Sequence, residues 1–78
     1  DNPAHAQYQY ALLEHYYRHN QFKSYIQHAS QFLRHNTPLF PQFYQILSKV
    51  YYKNQQPDIA KYYLSLYYLA VGKQSLAQ

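Results

Sequence analysis

His15 and His19 stand four residues apart, a spacing that sets two imidazoles on one face of a helix, where they could chelate a transition metal. A metal needs more than two ligands. The chain has no Cys, and its three acids, Asp1, Glu14 and Asp58, are scattered, so no third ligand falls on the same stripe. The order Glu14-His15 is also not the His-Glu-x-x-His of a zinc protease. The expectation is an incidental surface pair, with no metal and no cofactor. The same three acids leave no paired carboxylates and no Ser-His-Asp set, and a single Gly leaves no Gly-rich phosphate loop. The chain therefore reads as a binding module and not as an enzyme.

Charge points to the kind of partner. Seven Lys plus Arg against three Asp plus Glu give a net +4, which favours an acidic partner over a basic one. A charge of this size is also an ordinary solubility device, so it is a weak argument for nucleic acid. No apolar run approaches the roughly 20 residues of a membrane span. Asp1-Asn2-Pro3 begins polar, so no signal peptide is expected there. The absence of Cys leaves the compartment open.

The elements that must position these residues are helices. Twelve Tyr and four Phe beside one Gly describe a chain with short connections. Asp1 or Asn2 can cap a first helix over 3–19, with Pro3 in its first turn. Its apolar face is Tyr10, Leu13, Tyr16 and Tyr17. Asn20-Gln21 breaks the pattern, and Phe22, Ile26, Ala29 and Leu33 mark a second helix over 21–36. Pro38 and Pro41 punctuate the chain. A third helix over 41–53 places Phe40, Tyr44, Leu47 and Tyr51 inward; after Asn54-Gln55 a fourth runs over 57–71. The fourth helix would bury Ile59, Ala60, Tyr63, Leu64, Tyr67 and Val71, with Gly72 as a left-handed stop.

Sliding the chain on itself by thirty-four residues aligns Tyr10 with Tyr44, Leu13 with Leu47, Tyr17 with Tyr51, Asn20 with Asn54 and Gln21 with Gln55. Leu12 meets Ile46, and Ile26 meets Ala60. A fixed period of this size, with a helical hairpin as its unit, is the mark of a solenoid. One domain over 1–78 follows, with repeat one over about 7–40 and repeat two over about 41–74.

The second unit, with Tyr44, Leu47-Ser48, Tyr51, Ala60 and Leu64, resembles the tetratricopeptide repeat family. The first unit resembles it through Tyr10, Leu13-Glu14, Tyr17, Ile26, Ser30 and Pro38. The resemblance covers residues 7–72 and implies an all-α, α-α superhelical fold of two antiparallel hairpins. Glu14 and Ile26 depart from the family, standing where small residues let its helices pack closely, so the first hairpin is expected to be splayed or to pack differently.

The resemblance also implies that the first helix of each hairpin lines a concave groove that holds an extended peptide. Helix geometry places Gln42, Gln45, Lys49, Tyr52 and Lys53 on one stripe opposite Leu47 and Tyr51. One period earlier come Tyr8, Ala11, His15, Arg18 and His19. Together they would form a polar, basic, aromatic-edged groove for an acidic protein segment; the plain alternative is a solvated helix face. The family's two-carboxylate clamp does not map, because Ala11 and Gln45 stand where Lys or Asn would help.

Tyr62, Leu66 and Leu69 form a second apolar stripe on the fourth helix. It would be covered by a further repeat or by a second copy of the chain, since solenoids need about three repeats and polar caps. Protein interaction is thus the leading reading. The runner-up is RNA binding in the manner of pentatricopeptide repeats, which share the Tyr-x-x-Leu start seen at Tyr44 to Leu47. Their period of about thirty-five counts against it, and two repeats would read almost nothing.

Overall fold

The computed structural model describes the backbone of residues 3–38 and 40–77 and the side chains of residues 7–38 and 40–72. Four helices follow one another: α1 (Pro3–Arg18), α2 (Phe22–His35), α3 (Gln42–Lys53) and α4 (Pro57–Ala77). The described residues contain no strand, and the fold is all-α, as the periodicity requires. Asp1 and Asn2, expected to cap α1, lie outside the described residues. The chain divides into two compact units, α1 with α2 and α3 with α4, each a helical hairpin.

Both hairpins turn in the same way. In the first, the Gln21 N–H donates to the Tyr16 carbonyl at 2.9 Å and the Asn20 N–H donates to Tyr17 at 3.2 Å. In the second, Gln56 donates to Tyr51 at 2.9 Å and Gln55 to Tyr52 at 3.1 Å. These are Schellman stops, which satisfy carbonyls that a helix end leaves open. Each needs one left-handed residue, and these are Asn20 at φ 58° and Gln55 at φ 63°. The next residue closes one helix and opens the other, since the Gln21 carbonyl accepts from Tyr25 and the Gln56 carbonyl from Ala60.

This geometry corrects the period. Asn20 corresponds to Gln55 and not to Asn54, so the two turns are thirty-five residues apart, as are the ends of α1 and α3 and the starts of α2 and α4. Ring contacts keep the same offset. Tyr16 meets His28 with centroids 5.1 Å apart, and Tyr51 stacks on Tyr63 at 5.4 Å. The thirty-four-residue alignment follows the Leu13/Leu47 pair and the repeated Asn-Gln, but residue identity in a turn is a weaker guide than its hydrogen bonds.

In the second hairpin Phe43, Leu47, Val50, Tyr51 and Ala60 are buried, and the buried Ser48 hydroxyl donates to the Ala60 carbonyl at 2.7 Å. The inward stripe of α3 is therefore 43, 47, 50 and 51. Phe40, expected inside, is 48% exposed, because it precedes the helix and the spacing read back from Tyr44 does not extend to it. Ile46 and Ile59 each stand one residue before a buried position, about 100° round the helix, and both are exposed.

In the first hairpin the buried residues are Leu13, Tyr25, Ala29 and Phe32, so the inward stripe of α2 is 25, 29 and 32. Phe22, Ile26 and Leu33, expected at its centre, are half-buried flanks. In the thirty-five-residue register Leu13 and Tyr25 occupy the places of Ser48 and Ala60. Two large buried residues thus stand in the first hairpin where the second has two small ones. Glu14, expected between the two helices of this hairpin, is instead exposed.

Gly72 does not stop α4. The helix runs on to Ala77, and no glycine has positive φ. A glycine inside a helix costs about 1 kcal/mol, too little to end it where no proline follows.

Candidate functional site

The α3 stripe is presented to solvent as the helix spacing requires. Gln42, Lys49, Tyr52 and Lys53 are exposed, Tyr52 at 65%, and Gln45 sits half-buried at the edge. The arrangement follows from the inward stripe, because with Leu47 and Tyr51 buried the residues about half a turn away must face out. Two ammonium groups on one exposed stripe are chemically able to hydrogen-bond an anionic group.

On α1, Tyr8, Ala11, His15 and Arg18 are all exposed, as is His19 in the turn just after it. The imidazoles of His15 and His19 lie with centroids 4.4 Å apart, so the spacing does bring the two rings together. Among the described residues no group of three or more His, Cys, Asp or Glu could hold a metal ion. Arg18 is not a simple outward cation. Its Nη2 lies 2.6 Å from Glu14 Oε1, an exposed pair at i,i+4 with the acid on the N-terminal side, the favoured order. The α1 stripe thus has an acid at its edge; the signal, an acid four residues before Arg18, is visible in the sequence.

Reading by period also passed over His28, whose Nε2 lies 3.3 Å from the Tyr16 hydroxyl. In the second hairpin the corresponding place holds Tyr63, flanked by Tyr44 and Tyr51 at centroid distances of 6.3 and 5.4 Å. Burial, and then the neighbouring Tyr51, Tyr62 and Tyr44, push the Tyr63 phenol above its ordinary pKa. Tyr25 is pushed up mainly by burial and then by Tyr17. Both phenols are thereby kept neutral, which suits space-filling groups better than proton donors.

The outer face of α4 is a separate surface. Tyr62 is 60% and Leu69 61% exposed, and Leu66 is half-buried between them. Tyr68, which the stripe did not include, is also exposed. No described helix is long and apolar enough to cross a membrane. Comparison with family models, with curated proteins and with solved structures found no match.

Proposed function

We propose that this chain is a helical-repeat scaffold, resembling tetratricopeptide repeats, that holds an acidic, extended protein segment against the first helix of a hairpin. The observation that carries the reading is the α3 face, where Lys49, Tyr52 and Lys53 are exposed together with no acid on their stripe. His15 and Arg18 on α1, the latter paired with Glu14, and His19 just after it supply a second basic stripe. The test is titration of the wild type and of a Lys49→Glu, Lys53→Glu double variant with Asp/Glu-rich peptides. Charge reversal should weaken binding at least about tenfold, since each charge-assisted hydrogen bond contributes about 1.5–3 kcal/mol. Equal affinity of the two proteins sinks the reading.

A second reading gains one observation. The thirty-five-residue offset between Asn20 and Gln55 removes the period mismatch that counted against an RNA-binding helical repeat resembling the pentatricopeptide family. Exposed Tyr52, next to Lys53 in the chain and one turn from Lys49, also suits base stacking. Two hairpins would still read little sequence, so the prediction is weak binding to a random RNA pool that fades steeply with salt. Protein-scaffold function predicts no such binding at physiological salt.

A further inference from the structure

α4 is apolar on two sides. Ala60 and Tyr63 lie on the side toward α3, whereas Ile59, Tyr62, Leu66 and Leu69 recur at spacings of three, four and three on another. A helix that is apolar nearly all round is one that is covered on both sides. The 3-4-3 spacing is that of a coiled-coil seam. α2 shows that the hairpin itself does not call for this cover: thirty-five residues before Tyr62, Leu66 and Leu69 stand Gln27, Gln31 and Arg34, all exposed. The seam is therefore particular to α4 and is not part of the repeating pattern.

We infer that this seam is the docking surface for a second copy of the chain, with the two α4 helices antiparallel. An antiparallel crossing centred on residue 64 sets Ile59 against Leu69 of the other copy and Tyr62 against Leu66. All four seam positions are then used within the described part of the helix. Charge favours the same direction. A parallel pair would place Asp58 beside Asp58 and Lys61 beside Lys61. The antiparallel pair brings Asp58, at the N-terminal end, toward the partner's C-terminal half, whose sequence holds Lys73 and no acid. The seam carries no charge of its own, so two copies of net +4 can approach there without burying a cation. This surface is distinct from the basic stripes, and its test does not depend on the proposed ligand.

The test uses the absence of Cys, which makes any introduced thiol the only one. Ile59→Cys and Leu69→Cys chains, both altered at exposed positions, are prepared separately and oxidised alone or mixed. Positions 59 and 69 lie about 15 Å apart along a helix, so like thiols in an antiparallel pair are too distant to bond, while 59 and 69 across the seam can. Covalent dimer in the mixture and little in either chain alone is the expected result. Ready cross-linking of each chain by itself means a parallel pair and overturns the orientation. Sedimentation of the wild type should show a concentration-dependent dimer that Leu69→Glu abolishes while its helical circular dichroism is kept. A monomer at every concentration up to several hundred micromolar, or a dimer indifferent to Leu69→Glu, overturns the proposal and assigns the seam to a different chain.

Discussion

The Ser48 hydroxyl donates a 2.7 Å hydrogen bond to the Ala60 carbonyl across the second hairpin, with both residues buried. A small residue on each helix allows the approach, and the hydroxyl then satisfies itself on the facing backbone. Ser48→Ala loses that bond but gains helix propensity, and Ala60 can keep its carbonyl's helical partner. The cost should stay within about 1 kcal/mol in urea melts. Ser48→Leu should cost about 1–3 kcal/mol by overpacking. Equal effects of the two substitutions would show that close approach does not organise this hairpin.

Gln55 holds a left-handed backbone that ordinary residues adopt at a cost of about 1–2 kcal/mol, whereas Asn20 in the equivalent turn is of a type that tolerates it. Gln55→Gly should therefore stabilise the protein by about 0.5–1 kcal/mol, the gain being trimmed by glycine's greater freedom when unfolded. Asn20→Gly should gain less. The measurement is a shift in denaturation midpoint at constant slope, and a Gln55→Gly variant no more stable than wild type would contradict the strain assigned to this turn.

These two turns also show where the sequence is legible. Helix type and order followed from apolar spacing, and each boundary before α4's end lay within a residue or so of its expected place, because Asn20-Gln21, Asn54-Gln55 and the prolines interrupt strong patterns. The register between the units did not follow. A shift of one residue along a helix moves a side chain by about 100°, so Leu13 can be matched to Leu47 by chemistry while its structural counterpart is Ser48. With twelve Tyr, almost any frame finds an aromatic match, and the buried Tyr25, Phe32, Phe43 and Val50 were passed over for residues beside them. Exposure of the basic residues was legible because it is the complement of a core stripe anchored by Leu47 and Tyr51. The tie between Arg18 and Glu14 depended on placing Glu14 outside, which the thirty-four-residue frame did not do.

Alkali should unfold the protein through its buried phenols. The folded-state pKa of Tyr25 is raised above the unfolded value of about 10, by burial and then by Tyr17, and that of Tyr63 is raised in the same direction. A raised pKa contributes stability that is fully present below about pH 10 and is lost as pH climbs toward the folded value. Stability measured from pH 8 to pH 12 should hold and then fall. Tyr25→Phe, which removes the ionising group and keeps the ring, should lose less over the same span than wild type. Parallel loss in the two proteins would place the alkaline transition elsewhere.

The Glu14–Arg18 pair separates stability from binding. Both side chains are largely exposed, so the pair contributes at most about 0.5 kcal/mol to folding, and Glu14→Gln should leave the denaturation midpoint nearly unchanged. Binding should respond differently. The carboxylate lies 2.6 Å from the guanidinium and competes for it with any acidic ligand on the α1 stripe; removing its charge releases Arg18 and raises the local positive potential. Glu14→Gln should therefore tighten binding of an Asp/Glu-rich peptide several-fold and steepen its salt dependence, whereas Arg18→Gln should weaken it. The measurement is peptide titration at low and at physiological salt, on proteins shown to be equally folded. If Glu14→Gln and Arg18→Gln leave peptide affinity equal to wild type while Lys49→Glu, Lys53→Glu abolishes it, the ligand site is confined to α3 and the α1 stripe takes no part.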